Sequence, residues 1–187
     1  MSKLSNGFTL IELLVVVAVI SILSTGLMVA INPISKIKKA RDAQRLSLTA
    51  QIRLALSSYR ILNGNFPPPN SGGNSTCTSP CGGWEVAGCG ISFIKTLQDS
   101  GDLKTNITDP SINASDPFGG TSVCYNLNYY RYVAGSYGCP SARGTFYVLG
   151  IREMETTARP HPQSPGWSCS GRNWQNEYDW VTGEFQL

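Results

Sequence analysis

The residues with the most evident chemistry in this chain are six cysteines, one histidine and a carboxylate set into an apolar stretch. The carboxylate is Glu12, the histidine is His161, and the cysteines are Cys77, Cys81, Cys89, Cys124, Cys139 and Cys169. The sequence contains no phosphate-binding loop, nucleophile elbow or histidine pair to accompany them. These residue types therefore favour cross-linking and assembly over catalysis, and we expect no enzymatic activity.

Glu12 stands at the entrance to an apolar run of membrane length. The 19 residues from Leu13 to Ile31 carry no charge, and a helix needs about 20 residues to cross the hydrocarbon of a bilayer. A carboxylate costs roughly 2.5–3.5 kcal/mol at the centre of a span and less near its edge. Its presence therefore calls for a function. Phe8 lies four residues before Glu12, which places both on one face of the first helical turn.

The Gly7-Phe8 junction, the acid five residues after the glycine and the apolar run behind it together resemble the class III signal of type IV prepilins and pseudopilins. The resemblance implies cleavage between Gly7 and Phe8 by a prepilin peptidase and methylation of the new Phe8 amine. It also implies that Glu12 pairs with the amine of a neighbouring subunit during assembly. A secretory signal peptide fits poorly, because the apolar run is too long and no small-residue cleavage site follows it.

Three segments follow from this interpretation. We expect a cleaved leader at 1–7, the transmembrane and assembly half of a long helix at 8–34, and an extracytoplasmic globular domain at 35–187. The last segment is long enough for one domain with a hydrophobic core. The net charge of +3 is weak and does not favour a nucleic-acid partner.

The charges around the apolar run favour the opposite orientation of the chain in the membrane, with the domain after the run inside the cell. Only Lys3 and the amino terminus precede the run, whereas five basic residues follow it: Lys36, Lys38, Lys39, Arg41 and Arg45. The positive-inside rule alone would keep the cysteine-containing domain in the cytoplasm. The cysteines and the cleavage signal favour export, and we adopt that orientation.

The even number of cysteines predicts disulfides in an exported domain. Six cysteines allow 15 pairings, and the sequence does not select among them; we suggest Cys139 with Cys169, which would tie a hairpin loop to the carboxyl-terminal tail. A zinc site is the alternative, but paired C-x2-C spacing is absent and His161 lies among prolines. We therefore predict no metal and no cofactor.

Calcium remains an open question at the sequence level. In some pseudopilins acidic residues near the carboxyl end bind calcium, and the resemblance makes Asp116, Glu177 and Asp179 the candidates here. Their spacing does not match the family ligand pattern cleanly.

The periodicity predicts a second, amphipathic helical half from 34 to 62. Its apolar stripe comprises Leu48, Ile52, Ala55, Tyr59 and Leu62. We expect a helix break between Gly26 and Pro33, because glycine weakens a helix and proline cannot donate a backbone hydrogen bond. Asn63-Gly64 should end the helix.

The remaining pattern predicts a short helix at 92–103 and strands at 125–133, 145–151 and 179–185. The expected fold class is α+β and type IV pilin-like. In it, a long amino-terminal helix packs on a small antiparallel sheet of 3–4 strands, with loops stapled by disulfides. The cluster Tyr129-Tyr130-Arg131-Tyr132 could be a stacking platform for nucleic acid; ordinary packing of strand aromatics is the interpretation we favour.

The predicted function is that of a structural subunit, a type IV pilin that polymerises through its amino-terminal helix into an extracellular pilus. Its partners would be other copies of itself, related minor pilins, the prepilin peptidase and the assembly machinery. The subunit would reside in the cytoplasmic membrane before assembly and on the cell surface afterwards. Two alternatives stay open: a pseudopilin of a type II secretion system, and a single-pass anchored surface domain that does not polymerise.

Overall fold

The computed structural model describes residues 8–68, 84–86, 93–105, 107–110, 127–157 and 159–187. The chain divides into two compact units, Met1–Lys38 and Lys39–Leu187.

Two helices form the amino-terminal part, α1 (Leu10–Ile31) and α2 (Pro33–Asn63). Asn32 separates them with a left-handed backbone (φ 44°, ψ 71°). Its side-chain oxygen accepts a hydrogen bond from the Ser35 amide at 3.3 Å, so one asparagine ends α1 and caps α2. Pro33 then occupies the first position of α2, where its missing amide hydrogen costs nothing.

Gly26 does not break the helix. It lies inside α1, because a single glycine costs a helix only about 1 kcal/mol. The interruption falls at Asn32, immediately before Pro33 and within the interval in which the break was predicted.

Helix α2 buries most of the predicted stripe. Ile52 and Ala55 are buried, and Leu48 and Tyr59 pack against the same core. Leu62 was wrongly included, since it is 72% exposed. Ten residues after Ile52, the helical repeat has turned Leu62 well away from the core-facing side, and Leu56 is the buried residue that the stripe missed.

A four-stranded antiparallel sheet lies against α2. It contains β1 (Glu85–Val86), β2 (Leu127–Tyr132), β3 (Phe146–Ile151) and β6 (Trp180–Phe185) in the spatial order β1-β2-β3-β6. Helix α3 (Phe93–Asp99) and a small hairpin of β4 (Ser168–Cys169) and β5 (Arg172–Asn173) complete the described elements. Within the described residues, the predicted helices and strands are all present, and the α+β, pilin-like fold class is confirmed.

The sheet is buried on both faces. One face packs on α2 and α3 through residues such as Tyr129, Tyr147 and Leu149. The other face carries a second core rich in aromatic rings, with Phe146, Trp174 and Val181 at its centre. Alternation along the strands sends neighbouring residues to opposite cores, which explains why every residue of β3 is buried.

The tyrosine cluster of β2 follows this pattern. Tyr129 is fully buried, stacks on Phe93 with ring centroids 4.5 Å apart, and donates its hydroxyl to the Pro67 carbonyl at 2.8 Å. Tyr132 is buried on the opposite face and stacks on Phe146. The two most buried rings of the cluster thus pack in the cores, as the favoured interpretation predicts.

A buried charge network joins the third and fourth turns of α2 to other parts of the globular unit. The Arg45 guanidinium binds both carboxylate oxygens of Asp109, at 2.9 and 3.0 Å, and also binds Asp42 and Glu155 at 2.8 and 3.2 Å. Asp42 in turn accepts hydrogen bonds from the backbone amides of Glu155 and Thr156. The carboxylates raise the pKa of Arg45 despite its burial, so the guanidinium stays charged.

Candidate functional site: helix α1 and the residues that precede it

The amino terminus of α1 is closed by a reciprocal capping box. Thr9 precedes the helix with extended backbone, and its hydroxyl oxygen accepts from the Glu12 amide at 3.3 Å. The Glu12 carboxylate returns the bond, accepting from the Thr9 amide at 2.9 Å and from its hydroxyl at 2.7 Å. Two backbone donors that the first turn would leave without partners are satisfied in this way.

Only one oxygen of the Glu12 carboxylate takes part in the capping box. All the bonds from Thr9 go to Oε2, and within the described residues Oε1 forms no hydrogen bond. The carboxylate is therefore held at the helix entrance with one oxygen available to a donor from outside.

Helix α1 is apolar on every side. Each described side chain from Leu10 to Leu27 is exposed, although most of them are aliphatic. Among the described helices, α1 is the one that is long and apolar enough to cross a membrane, by length and composition, over Leu10–Leu27. A helix that is hydrophobic all round requires a lipid or protein environment on all sides, and the described part of the chain does not provide one for the side chains of Leu10–Leu27.

A shallow groove of about 330 Å³ adjoins the carboxylate. Phe8, Ile11, Glu12, Val15 and Val16 line it. Apart from Glu12, every lining side chain is apolar, and Phe8 is 84% exposed. The arrangement presents one carboxylate within an apolar surface.

The predicted cleavage pair is described only in part. Phe8 precedes the capping box, while Gly7 lies outside the described residues. The methylation of Phe8, the cleavage and the assembly function of Glu12 remain predictions.

Two of the six cysteines are described, and they form the suggested pair. Cys139 and Cys169 are joined by a disulfide with Cα atoms 5.0 Å apart, and no free cysteine occurs among the described residues. The disulfide joins the loop between β2 and β3 to the carboxyl-terminal tail, as expected. Cys77, Cys81, Cys89 and Cys124 lie outside the described residues.

The acidic residues considered for calcium are bonded to protein groups. Arg172 binds both oxygens of Glu177, at 2.8 and 2.6 Å. Asp179 accepts from Arg159 at 3.1 Å and from the Met154 amide at 2.7 Å. Asp116 lies outside the described residues.

His161 is also engaged locally. Its Nδ1 accepts from the Gln163 amide at 3.1 Å. Within the described part of the chain, no group of three or more histidine, cysteine, aspartate or glutamate side chains is arranged to hold a metal ion.

Sequence reasoning overlooked two residues of the α1 region, Thr9 and Asn32. The first had a readable signal, since Thr9-Leu10-Ile11-Glu12 is a capping-box sequence. The second also had a sequence signal. Asn32 directly precedes Pro33, and asparagine tolerates the left-handed backbone that ends a helix. Both residues set the ends of α1.

The family comparison falls on this same region. A family model described as the prokaryotic N-terminal methylation motif matches residues 2–28. No curated protein and no solved structure matches the chain. The match contains the Gly7-Phe8 junction, the capping box with Glu12 and most of the apolar helix. Residues 2–28 therefore carry the prokaryotic N-terminal methylation motif, the prepilin signal of type IV pilins and pseudopilins.

Proposed function

We propose that the chain is a type IV pilin, a structural subunit that is cleaved after Gly7, methylated on Phe8 and polymerised through α1 into an extracellular pilus. The observation that carries the proposal is the methylation motif placed on a helix whose described side chains are all apolar or small around a single carboxylate. Such a helix needs a membrane first and other copies of itself afterwards.

The capping box supports a specific function for Glu12 in assembly. The capping box holds the carboxylate through Oε2, so that Oε1 is available to accept a hydrogen bond from another molecule. Cleavage would create a cationic amine on Phe8, and such an amine would bind a carboxylate strongly away from water. We infer that Oε1 of one subunit accepts the Phe8 amine of its neighbour and so sets their register.

The Cys139–Cys169 disulfide supports export of the globular unit. Disulfides persist in oxidising compartments and are rare in the cytoplasm. The subunit would sit in the cytoplasmic membrane before assembly, with its leader accessible to the prepilin peptidase. It would then move into a surface fibre together with other copies and related minor pilins.

The decisive experiment replaces Glu12 in two ways. Glu12→Gln keeps the acceptor that the capping box uses but removes the charge, whereas Glu12→Leu removes both. We expect both variants to be inserted, cleaved and disulfide-bonded, yet to yield no sheared surface fibres on an immunoblot. The exposed Glu153→Gln is the matched control and should assemble normally.

The outcomes separate the alternatives. Intact-mass measurement of the mature protein should show a chain beginning at a methylated Phe8; a chain that retains residues 1–7 refutes processing. Normal fibres from both Glu12 variants would refute the inferred assembly function of Glu12. Absence of surface fibres in the wild type, with protein secretion intact on deletion, would favour the anchored surface domain. Absence of surface fibres in the wild type, combined with loss of protein secretion on deletion, would favour the pseudopilin.

A further inference from the structure

A second groove lies on the globular unit, far in sequence from the assembly motif. It occupies about 750 Å³ between the end of β2, the loop that follows it and the tail after β5. Its walls are mainly aromatic rings and arginines, with Trp84, Tyr130, Tyr137 and Tyr178 among them. The rings are held together, since Trp84 lies 5.8 Å from Tyr130 and 5.2 Å from Tyr178 between centroids.

Tyr137 is presented at the rim in a conformation that a tyrosine rarely adopts. Its backbone is left-handed (φ 52°, ψ 31°), and its side chain is 45% exposed. A non-glycine residue in this region is strained, because its Cβ approaches the backbone closely. Such strain persists only where the surrounding structure enforces it.

Contacts with the carboxyl-terminal tail hold the Tyr137 backbone in this conformation. The Cys139–Cys169 disulfide lies two residues beyond Tyr137, and the Tyr137 carbonyl accepts from the Gly171 amide at 2.9 Å. A side chain at Gly171 would collide with the Tyr137 backbone. The ring itself packs edge-on with Tyr132 and Trp174, and the Arg172 guanidinium lies over it at 4.9 Å. The ring of Tyr137 is therefore fixed in place before any ligand arrives, which lowers the entropic cost of binding.

Two of the three guanidinium groups that line the groove have hydrogen-bond partners within the protein. Arg172 is neutralised by Glu177, and Arg131 donates to the Phe66 carbonyl at 2.7 Å. Arg152 is exposed, and in the described part of the chain its guanidinium forms no hydrogen bond or ion pair. Trp84, Tyr132 and Tyr178 are buried beneath the groove, so the accessible rings are those of Tyr130 and Tyr137. The groove thus offers the Arg152 guanidinium beside these two rings and their hydroxyls.

We propose that this groove binds an acidic saccharide, one whose sugar ring carries a carboxylate. The C–H groups on the face of a sugar ring bear partial positive charge and suit the negative face of an aromatic ring. A guanidinium binds a carboxylate through two parallel hydrogen bonds. Ser136 and the tyrosine hydroxyls can bond to sugar hydroxyls. One uncommitted guanidinium matches a single carboxylate better than the row of phosphates in a nucleic acid.

The test uses the full mature protein in detergent and isothermal titration calorimetry. The probes are trigalacturonate, a hyaluronan tetrasaccharide and sialyllactose, with maltotriose as the neutral saccharide and a single-stranded oligonucleotide as the polyanion. We expect at least one acidic saccharide to bind and maltotriose to bind more weakly. Binding of no acidic saccharide overturns the proposal, as does tighter binding of the oligonucleotide than of every saccharide.

Two variants locate the binding in the groove. Arg152→Gln should weaken it by about tenfold or more, since a charge-assisted hydrogen bond is lost; Lys104→Gln removes an exposed charge elsewhere and should leave it unchanged. Tyr137→Gly removes the ring and also relieves the left-handed strain, so the protein should keep its fold and lose binding. Retained binding in both groove variants would overturn the proposal.

Discussion

Replacing Arg45 by methionine should destabilise the globular unit more than any exposed charge substitution. The side chain of Arg45 is buried and binds Asp42, Asp109 and Glu155. Methionine fills similar space, so packing changes little, but the carboxylates lose their bonds to the guanidinium while they remain buried. Breaking a buried ion pair from one side costs about 3–5 kcal/mol, a large part of a typical domain stability of about 5–15 kcal/mol.

Two further variants calibrate this loss. Arg45→Lys keeps the charge but cannot form the two-pronged contact with Asp109, so about 1–3 kcal/mol should be lost. Lys104→Met, at an exposed position, should change stability by less than about 0.5 kcal/mol.

The assay is urea unfolding of the detergent-solubilised full chain, followed by tryptophan emission. All four tryptophans, Trp84, Trp167, Trp174 and Trp180, lie in the Lys39–Leu187 unit and report on it. A loss below about 1 kcal/mol in Arg45→Met would refute the reasoning. It would mean that the Arg45 network contributes no more to the stability of the domain than an ion pair on the surface.

Two other predictions concern the core and the pH dependence of stability. Ile52→Asp should lower the free energy of unfolding by several kcal/mol, as order of magnitude, because a charge enters the core. Leu54→Asp on the same helix is the control, since Leu54 is 75% exposed and its replacement should be nearly neutral. Equal urea midpoints for the two variants would contradict this placement of the core. Burial raises the pKa of Glu85 to about 7, although a hydrogen bond from the Phe93 amide opposes the rise. The folded state then holds this proton more tightly than the unfolded state, so stability should fall by about 2 kcal/mol as pH rises from 5 to 8. Glu85→Gln, which keeps an acceptor for Phe93, should flatten that fall, and an unchanged slope would show that another group causes it.

Features that depend on neighbouring residues along the chain could be predicted from the amino-acid sequence. The Gly7-Phe8 junction, Glu12 and the apolar run specify the methylation motif within residues 2–28. Asn63-Gly64 ends α2 where the left-handed glycine was predicted, with φ 73°. Alternation and turn residues placed β2, β3 and β6 within a few residues, because strand burial has a period of two.

Contacts between residues far apart in the chain follow from the tertiary fold. Periodicity missed the burial of Arg45, since its partner Asp109 lies 64 positions away. The sequence suggested the Cys139–Cys169 pair as one of 15 possible pairings, and the approach of the β2–β3 loop to the tail is what brings these two cysteines together. The same approach holds Tyr137 in its strained conformation and creates the aromatic groove. Contacts of this kind depend on how helices, sheet and loops pack in three dimensions, and local patterns carry no record of that packing.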